Sequence, residues 1–260
     1  MKRTLSLLFC FFLPSLLLAQ GLKIVNKVTT YEEKERTNTS TLYLTDKKVK
    51  TKSKSSNGRK TSSIFKKEDQ VLYTIDHKNK RYTKITKEDI EQMEKLMKRM
   101  ENMPESAKEM MGDKMDKMMK NDQPDITYKK TGNSKTVSPW GECQEWKGVD
   151  KKGNMLQKVY TTSRNQVKVK KSHFDILTDM IDFFSFMPKG MDRNYPVKTK
   201  KKGKKGLKGF GVLWIYYDKQ GNKTQKMKVK EMKERSIKNS RFKVPSGYEA
   251  NEINMGGGRR

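Results

Sequence analysis

The chain has 260 residues, 59 Lys and Arg against 30 Asp and Glu, a formal charge of +29, and only two cysteines and two histidines. Hydrophobic residues make up 33%, so the core is lean and a many-spanning helical membrane protein is excluded. Two cysteines cannot build a disulfide scaffold.

The first element is a secretory signal. Lys2 and Arg3 form a positive start, Leu5 to Leu18 is apolar except for Ser6, Cys10, Pro14 and Ser15, and the small residue Ala19 precedes Gln20 and Gly21. That order is the pattern of a cleavable signal peptide. The apolar run is shorter than the roughly 20 residues needed to cross a bilayer, and no stop-transfer segment follows. Cys10 is not a lipidation site, because Phe9 precedes it and the apolar stretch continues beyond it. We therefore expect a signal over 1–19, a single domain over 20–255 and a floppy tail over 256–260, with no membrane span in the mature chain. Its destination is the periplasm or the exterior of the cell. Cleavage removes Lys2 and Arg3, so the formal +29 becomes +27, and leaves Cys143 without an intramolecular partner.

Period-two patterns dominate the mature chain. Lys48, Lys50, Lys52 and Lys54 alternate with Val49, Thr51 and Ser53, and Lys226, Lys228 and Lys230 alternate with Met227 and Val229. Lys168 and Lys170 alternate with Val167 and Val169. Such spacing puts lysines on one wet face of an antiparallel sheet and smaller or apolar residues on the other. In chain order, strands are expected over Leu22 to Tyr31, Thr39 to Thr45, Lys60 to Phe65, and a hairpin of Gln70 to Asp76 with Arg81 to Ile85. The period then becomes helical. Thr86 caps a helix with Glu88 and Asp89 in its first turn, and Ile90, Met93, Met97 and Met100 form one stripe. Pro104 ends it, and Ser106 to Lys120 reads as a second, Met-rich helix. Strands resume at Asp125 to Lys130, Glu142 to Val149 and Met155 to Thr162. Ser172 caps a third helix whose Phe174, Leu177, Ile181 and Phe184 share a face. After a Lys/Gly loop, Phe210 to Asp218 pairs with Lys223 to Met232. These elements describe an α+β domain: a curved antiparallel β-sheet, a half-barrel, with amphipathic helices packed on one face.

The stretch Thr131-Gly132-Asn133-Ser134-Lys135-Thr136-Val137-Ser138-Pro139-Trp140-Gly141-Glu142-Cys143-Gln144-Glu145-Trp146 resembles the pattern TG-x-x-K-x-I-x-G-x-x-C-x-x-Y/W of the exported bacterial domain-of-unknown-function family 4412. Tyr73-Thr74-Ile75-Asp76, Lys80-Arg81-Tyr82 and Phe242-Lys243-Val244-Pro245-Ser246-Gly247-Tyr248 are similar as well. The family's glycine is displaced by one position at Trp140-Gly141, and Lys198 to Lys208 is a basic insertion. The resemblance implies a lipoprotein-carrier-like fold, with helices closing a concave sheet face. It implies no activity.

Nine methionines lie between Met93 and Met119. Thioethers suit Cu(I), so Met97, Met100, Met103, Met115 and Met118 form a candidate soft-metal set. Plain core packing accounts for the same spacing, and no His or Cys accompanies it. Cys143, between Trp140 and Trp146, reads as a small buried hydrophobe. His77, in a turn, and His173, at a helix start, have no nucleophile at a known spacing. A Walker loop, GxSxG and HExxH are all missing, so we expect no enzyme and no cofactor. Lys200, Lys201, Lys202, Lys204 and Lys205 form a candidate anion-binding loop for an envelope surface. That loop lacks the interleaved aromatics that nucleic-acid recognition wants. The leading expectation is an apolar or lipid-like ligand held between sheet and helices by Met93, Met97, Met100, Phe174, Leu177, Ile181 and Phe184. Soft-metal binding and a cationic envelope interaction module are the alternatives. Edman sequencing of the exported protein should begin at Gln20 or beside it; a membrane-bound chain starting at Met1 would refute the signal.

Overall fold

The computed structural model describes residues 18–103, 126–167, 169–183 and 207–251. Most of the expected signal, the expected second Met-rich helix, Phe184, the Lys200–Lys205 stretch and residues 256–260 lie outside them.

Six strands precede the first helix: β1 (Leu18–Tyr31), β2 (Glu35–Leu44), β3 (Lys48–Lys54), β4 (Lys60–Lys66), β5 (Val71–Asp76) and β6 (Arg81–Thr86). After α1 (Lys87–Glu101) come β7 (Thr127–Thr136), β8 (Glu142–Val149), β9 (Met155–Thr162), the short α2 (Arg164–Val167) and α3 (Asp175–Phe183). The strands β10 (Phe210–Tyr217), β11 (Lys223–Lys238) and β12 (Glu249–Asn251) follow. All described strands join one open sheet, ordered β12-β6-β5-β4-β3-β2-β1-β11-β10-β9-β8-β7. Neighbours are antiparallel except β12, which lies parallel to β6. The class is therefore mostly β, which corrects the expected α+β.

The excess of strand has a local cause. β11 runs on past Met232 to Lys238, pairing with β1 down to Leu18↔Lys238, and a bulge at Val25/Asn26 absorbs one extra residue. β7 likewise continues past Lys130 through an irregularity between Lys130 and Ser134, where Gly132 takes φ +85°. A residue in that left-handed region breaks the pattern without ending the strand. β1 also begins two residues before Gln20.

The α1 start is built as its sequence dictates. The Thr86 backbone N–H donates to Asp89 Oδ2 at 2.7 Å, and the Asp89 N–H donates to Thr86 Oγ1 at 3.2 Å. This reciprocal pair satisfies two otherwise orphaned donors. The α3 start departs from expectation. Lys170, not Ser172, precedes a 3-10 turn over Lys171–Phe174, with no side-chain cap. A 3-10 turn has 3.0 residues per turn rather than 3.6, so four residues of it advance the helix phase by about one position. The buried face of α3 is consequently Ile176, Leu177, Met180 and Phe183. Ile181 is only half-buried.

The main core joins Leu22, Ile24, Leu42, Leu44, Val49, Phe65 and Leu72 of the sheet with Ile90 of α1 and the four buried residues of α3. Phe65 and Phe183 meet as tilted rings with centroids 5.3 Å apart. Trp140 belongs to the same cluster, and its indole N–H donates to the Val229 carbonyl at 2.7 Å. A second cluster centres on Trp146, Val159, Trp214 and Met227. A third packs Ile64, Ile75 and Ile237 against Phe242. Thr86→Ala should cost about 1 kcal/mol of stability through the lost cap, read by urea unfolding. An unchanged midpoint would mean that packing of Ile90 alone holds the start of α1.

Candidate functional site

Register turns the alternation of β1 to β6 into continuous rows that cross the sheet on one face. Leu22 opposes Leu44, Leu44 opposes Val49, Val49 opposes Phe65, Phe65 opposes Leu72, and Leu72 opposes Ile85. This apolar row belongs to the cluster shared with α1 and α3. One pleat further along, Ile24 and Leu42 give way to Thr51, Ser63, Thr74 and Thr83, each directly opposite the next. The following row is Asn26, Ser40, Ser53, Thr61, Asp76 and Arg81. Within six strands the same face passes from hydrocarbon to hydroxyl to charge.

A trough of about 350 Å³ lies over the two polar rows, its floor formed by Thr51, Ser53, Thr61, Ser63, Thr74 and Thr83. Arg59 and Arg81 line it too, and Arg59 Nη2 sits 3.1 Å from Asp76 Oδ2. Desolvation opposes ionisation of Asp76, but the Lys78 and Asn79 backbone N–H groups and the Arg59 guanidinium outweigh it and hold the carboxyl below its usual range. Asn26 Oδ1 and Thr51 Oγ1, on these rows, are shielded from solvent without a protein partner among the described residues. The Thr51 hydroxyl can donate or accept, whereas the Asn26 amide oxygen can only accept.

The opposite face of the same strands corrects the reading of a uniformly wet lysine face. Lys52 and Lys54 are exposed, whereas Lys50 is 5% exposed and donates from Nζ to the Arg241 carbonyl at 2.8 Å. Burial, then the nearby Lys52 and Arg241 charges, lower its pKa to about 8. The cause is the chain end: Asn239–Phe242 folds back over β2 to β4, with the Arg241 guanidinium 4.3 Å from the Tyr43 ring. His77 is not a bare surface turn residue. Its Nε2 lies 2.7 Å from Ser62 Oγ and its Nδ1 2.9 Å from Tyr248 Oη. Burial and the Lys50 and Lys52 charges push its pKa down, which favours the neutral ring. His173 Nε2 meets Glu234 at 3.2 Å.

A second buried polar group sits on β8 and β9. Tyr160 Oη donates to Glu145 Oε2 at 2.7 Å, and Lys158 Nζ approaches the same oxygen at 3.4 Å. Burial works against the Glu145 charge, but these two partners prevail and hold its pKa down. With every member paired, the group reads as structural. Cys143 is fully buried, and burial pushes its thiol pKa up, so it is a packing residue rather than a nucleophile.

Of the expected ligand-contacting residues, Leu177 lies in the main core, and Met93 and Phe174 pack against it. Ile181 is outside that cluster. Met97 and Met100 are on α1, but their side chains fall outside the described residues, as do Phe184, Met115 and Met118. Met103 follows the end of α1, half-buried. Lys200, Lys201, Lys202, Lys204 and Lys205 are likewise outside. No three His, Cys, Asp or Glu side chains gather as metal ligands among the described residues. The hydroxyl rows are absent from the sequence-based expectations, although Thr51-x-Ser53 and Thr61-x-Ser63 carry the same period-two signal as the lysines.

No family model matches this sequence, and no curated protein does. Solved structures resemble it only in outline. An uncharacterized conserved protein from Thermus thermophilus gives a TM-score of 0.44 at 9% identity, over 92% of this chain and 93% of that one. A LolA superfamily protein from Nitrosomonas europaea gives 0.32 at 6% identity, over 86% and 90%. A DUF1329 family protein from Desulfovibrio piger gives 0.30 at 10% identity, over 88% and 91%.

Lys50 sets a pH dependence. Its folded pKa near 8 lies below the ordinary 10.5, so between those values the unfolded chain holds a proton that the fold has released. Stability from this group therefore rises with pH across that window, and the cost of the buried ammonium is fully present below it. Urea unfolding of wild type and Lys50→Met should show the variant gaining most near neutral pH, with that advantage shrinking toward pH 10.5. A difference independent of pH would show a solvated ammonium.

Proposed function

We propose that this is an exported, non-catalytic binding protein for an amphipathic, lipid-like ligand. Its apolar part lies between the sheet's apolar row and the helices α1 and α3, and its polar part lies in the hydroxyl trough. The observation that carries the reading is the single-face change from Leu44, Val49, Phe65 and Leu72 to Thr51, Ser63 and Thr74 in strict register, with open volume where the polar rows begin. Uncovered hydroxyls next to the core leave donors and acceptors that a bound polar group can use. An amphiphile uses both halves, because hydrocarbon burial contributes roughly 0.8 kcal/mol per methylene and the polar end stays hydrogen-bonded. Half-buried Met93 and Ile181, at the helix margins, can yield to a chain more readily than Leu177, which is locked in the core.

A delipidated preparation should take up a fluorescent fatty acid at one saturable site. Ser63→Trp fills the trough and should weaken uptake at least about tenfold, because the polar end loses its seat. Ile181→Trp should weaken it from the apolar side. Both residues are partly exposed, so circular dichroism should be unchanged. Absence of saturable uptake, or uptake by both Trp variants equal to wild type, would overturn the proposal.

A further inference from the structure

Lysines stand opposite one another on the other half of the sheet. Lys129 of β7 opposes Lys147 of β8, and Lys147 opposes Lys158 of β9. Lys158 opposes Ile215 of β10, and Ile215 opposes Lys226 of β11. In the neighbouring row Lys228 of β11 opposes Lys27 of β1. Like charges directly opposite across a ladder destabilise a sheet, so repeating the arrangement over adjacent strands runs against the fold. Among the described residues one acid relieves it: buried Glu145, one pleat along on the same face, engages Lys158. Lys129, Lys147, Lys226 and Lys228 have no ion pair among the described residues. The crowding is felt at Lys228, whose pKa is pushed down by burial and then by Lys230, Lys226, Lys135 and Lys27.

Protection of an exposed edge is the ordinary use of strand lysines. It accounts for β7, the terminal strand, but not for Lys147 and Lys158 on interior strands. From β7 to β11 the row crosses four strand spacings, roughly 19 Å. That is too wide for one small anion and suits an extended anionic surface. Half-buried Ile215 at its centre adds an apolar contact, and no aromatic side chain stands in the row to stack a base.

We propose that the row Lys129–Lys147–Lys158–Ile215–Lys226 is a docking face for an anionic lipid bilayer. This face is separate from the trough and does not depend on amphiphile binding. The unfavourable register is kept because the partner's phosphates neutralise it on contact. Near a charged bilayer each lysine contributes roughly fivefold in partitioning.

The test is co-sedimentation of the full mature chain with phosphatidylcholine vesicles containing about one-third phosphatidylglycerol, a strongly anionic surface. The variants are Lys129→Gln/Lys147→Gln/Lys226→Gln and an equal-charge control, Lys84→Gln/Lys95→Gln/Lys243→Gln, whose exposed lysines lie elsewhere. Wild type should bind these vesicles and not pure phosphatidylcholine. The row variant should lose about a hundredfold, and the control less than about tenfold. Thermal unfolding adds a second readout, since relief of repulsion should make the row variant more stable than wild type. Equal losses in the two variants, a destabilised row variant, or tighter row-dependent binding to heparin or duplex DNA than to vesicles would each overturn the proposal. Loss of fatty-acid uptake with vesicle binding intact would overturn only the amphiphile reading.

Discussion

The cross-strand register of β1 to β6 is the constraint on which the rest depends. Side chains alternate with a strict period of two, so a slip of one residue would exchange every face. Moved by one, β3 would turn Lys48, Lys50, Lys52 and Lys54 toward the apolar core and put Val49 under the chain end. The penalty for burying several ammonium groups is far larger than any gain from alternative pairing. Register is thus fixed by the lysines as firmly as by the leucines. The same fixed register sets the apolar, hydroxyl and charged rows side by side.

One residue escapes this sorting. Lys50 faces the lysine side, yet the chain end folds over it and takes its solvent away. Among the described residues its ammonium has one hydrogen-bond acceptor, the Arg241 carbonyl, which offsets only part of the desolvation. His77 is pushed toward its neutral form for a related reason: burial and the Lys50 and Lys52 charges outweigh the opposing pull of Asp76. The closure of the chain end therefore rests on Ile64, Ile75 and Phe242 packing beside a lysine and a histidine whose charged forms burial disfavours.

Much of this was legible in the sequence, because strands and caps are local. Most strand positions, though not β12, together with the Thr86 cap and the burial of Cys143, follow from period, turn residues and spacing. What was not legible depends on distant residues. Lys50 is buried by residues about 190 positions away, and nothing near it marks that fate. The α3 face differs from the expected one because Lys171–Phe174 forms a 3-10 turn, which hydrophobic spacing does not reveal. Gly211 is a further case. A Cβ there would stand 2.4 Å from the Trp214 ring, so the glycine exists to let that indole lie against the backbone. The hydroxyl rows were legible in principle, but they become a row only when four strands align.

The two halves of the sheet solve the problem of a lean, basic chain in different ways. β1 to β6 cluster one row of hydrocarbon with Ile90 of α1 and the buried residues of α3, and leave hydroxyls, which need neither burial nor charge, over the remainder. β7 to β11 build their interior from Trp146, Val159, Trp214 and Met227, and face lysines outward in opposed pairs. Large aromatics bury much area per residue, so few of them suffice to hold strands whose other face repels itself. The repulsion is reduced where water screens it, as at the exposed Lys129 and Lys147, and less so at the half-buried Lys158, Lys226 and Lys228. At an anionic layer of the kind proposed above, attraction to the layer would be added to that repulsion and offset it.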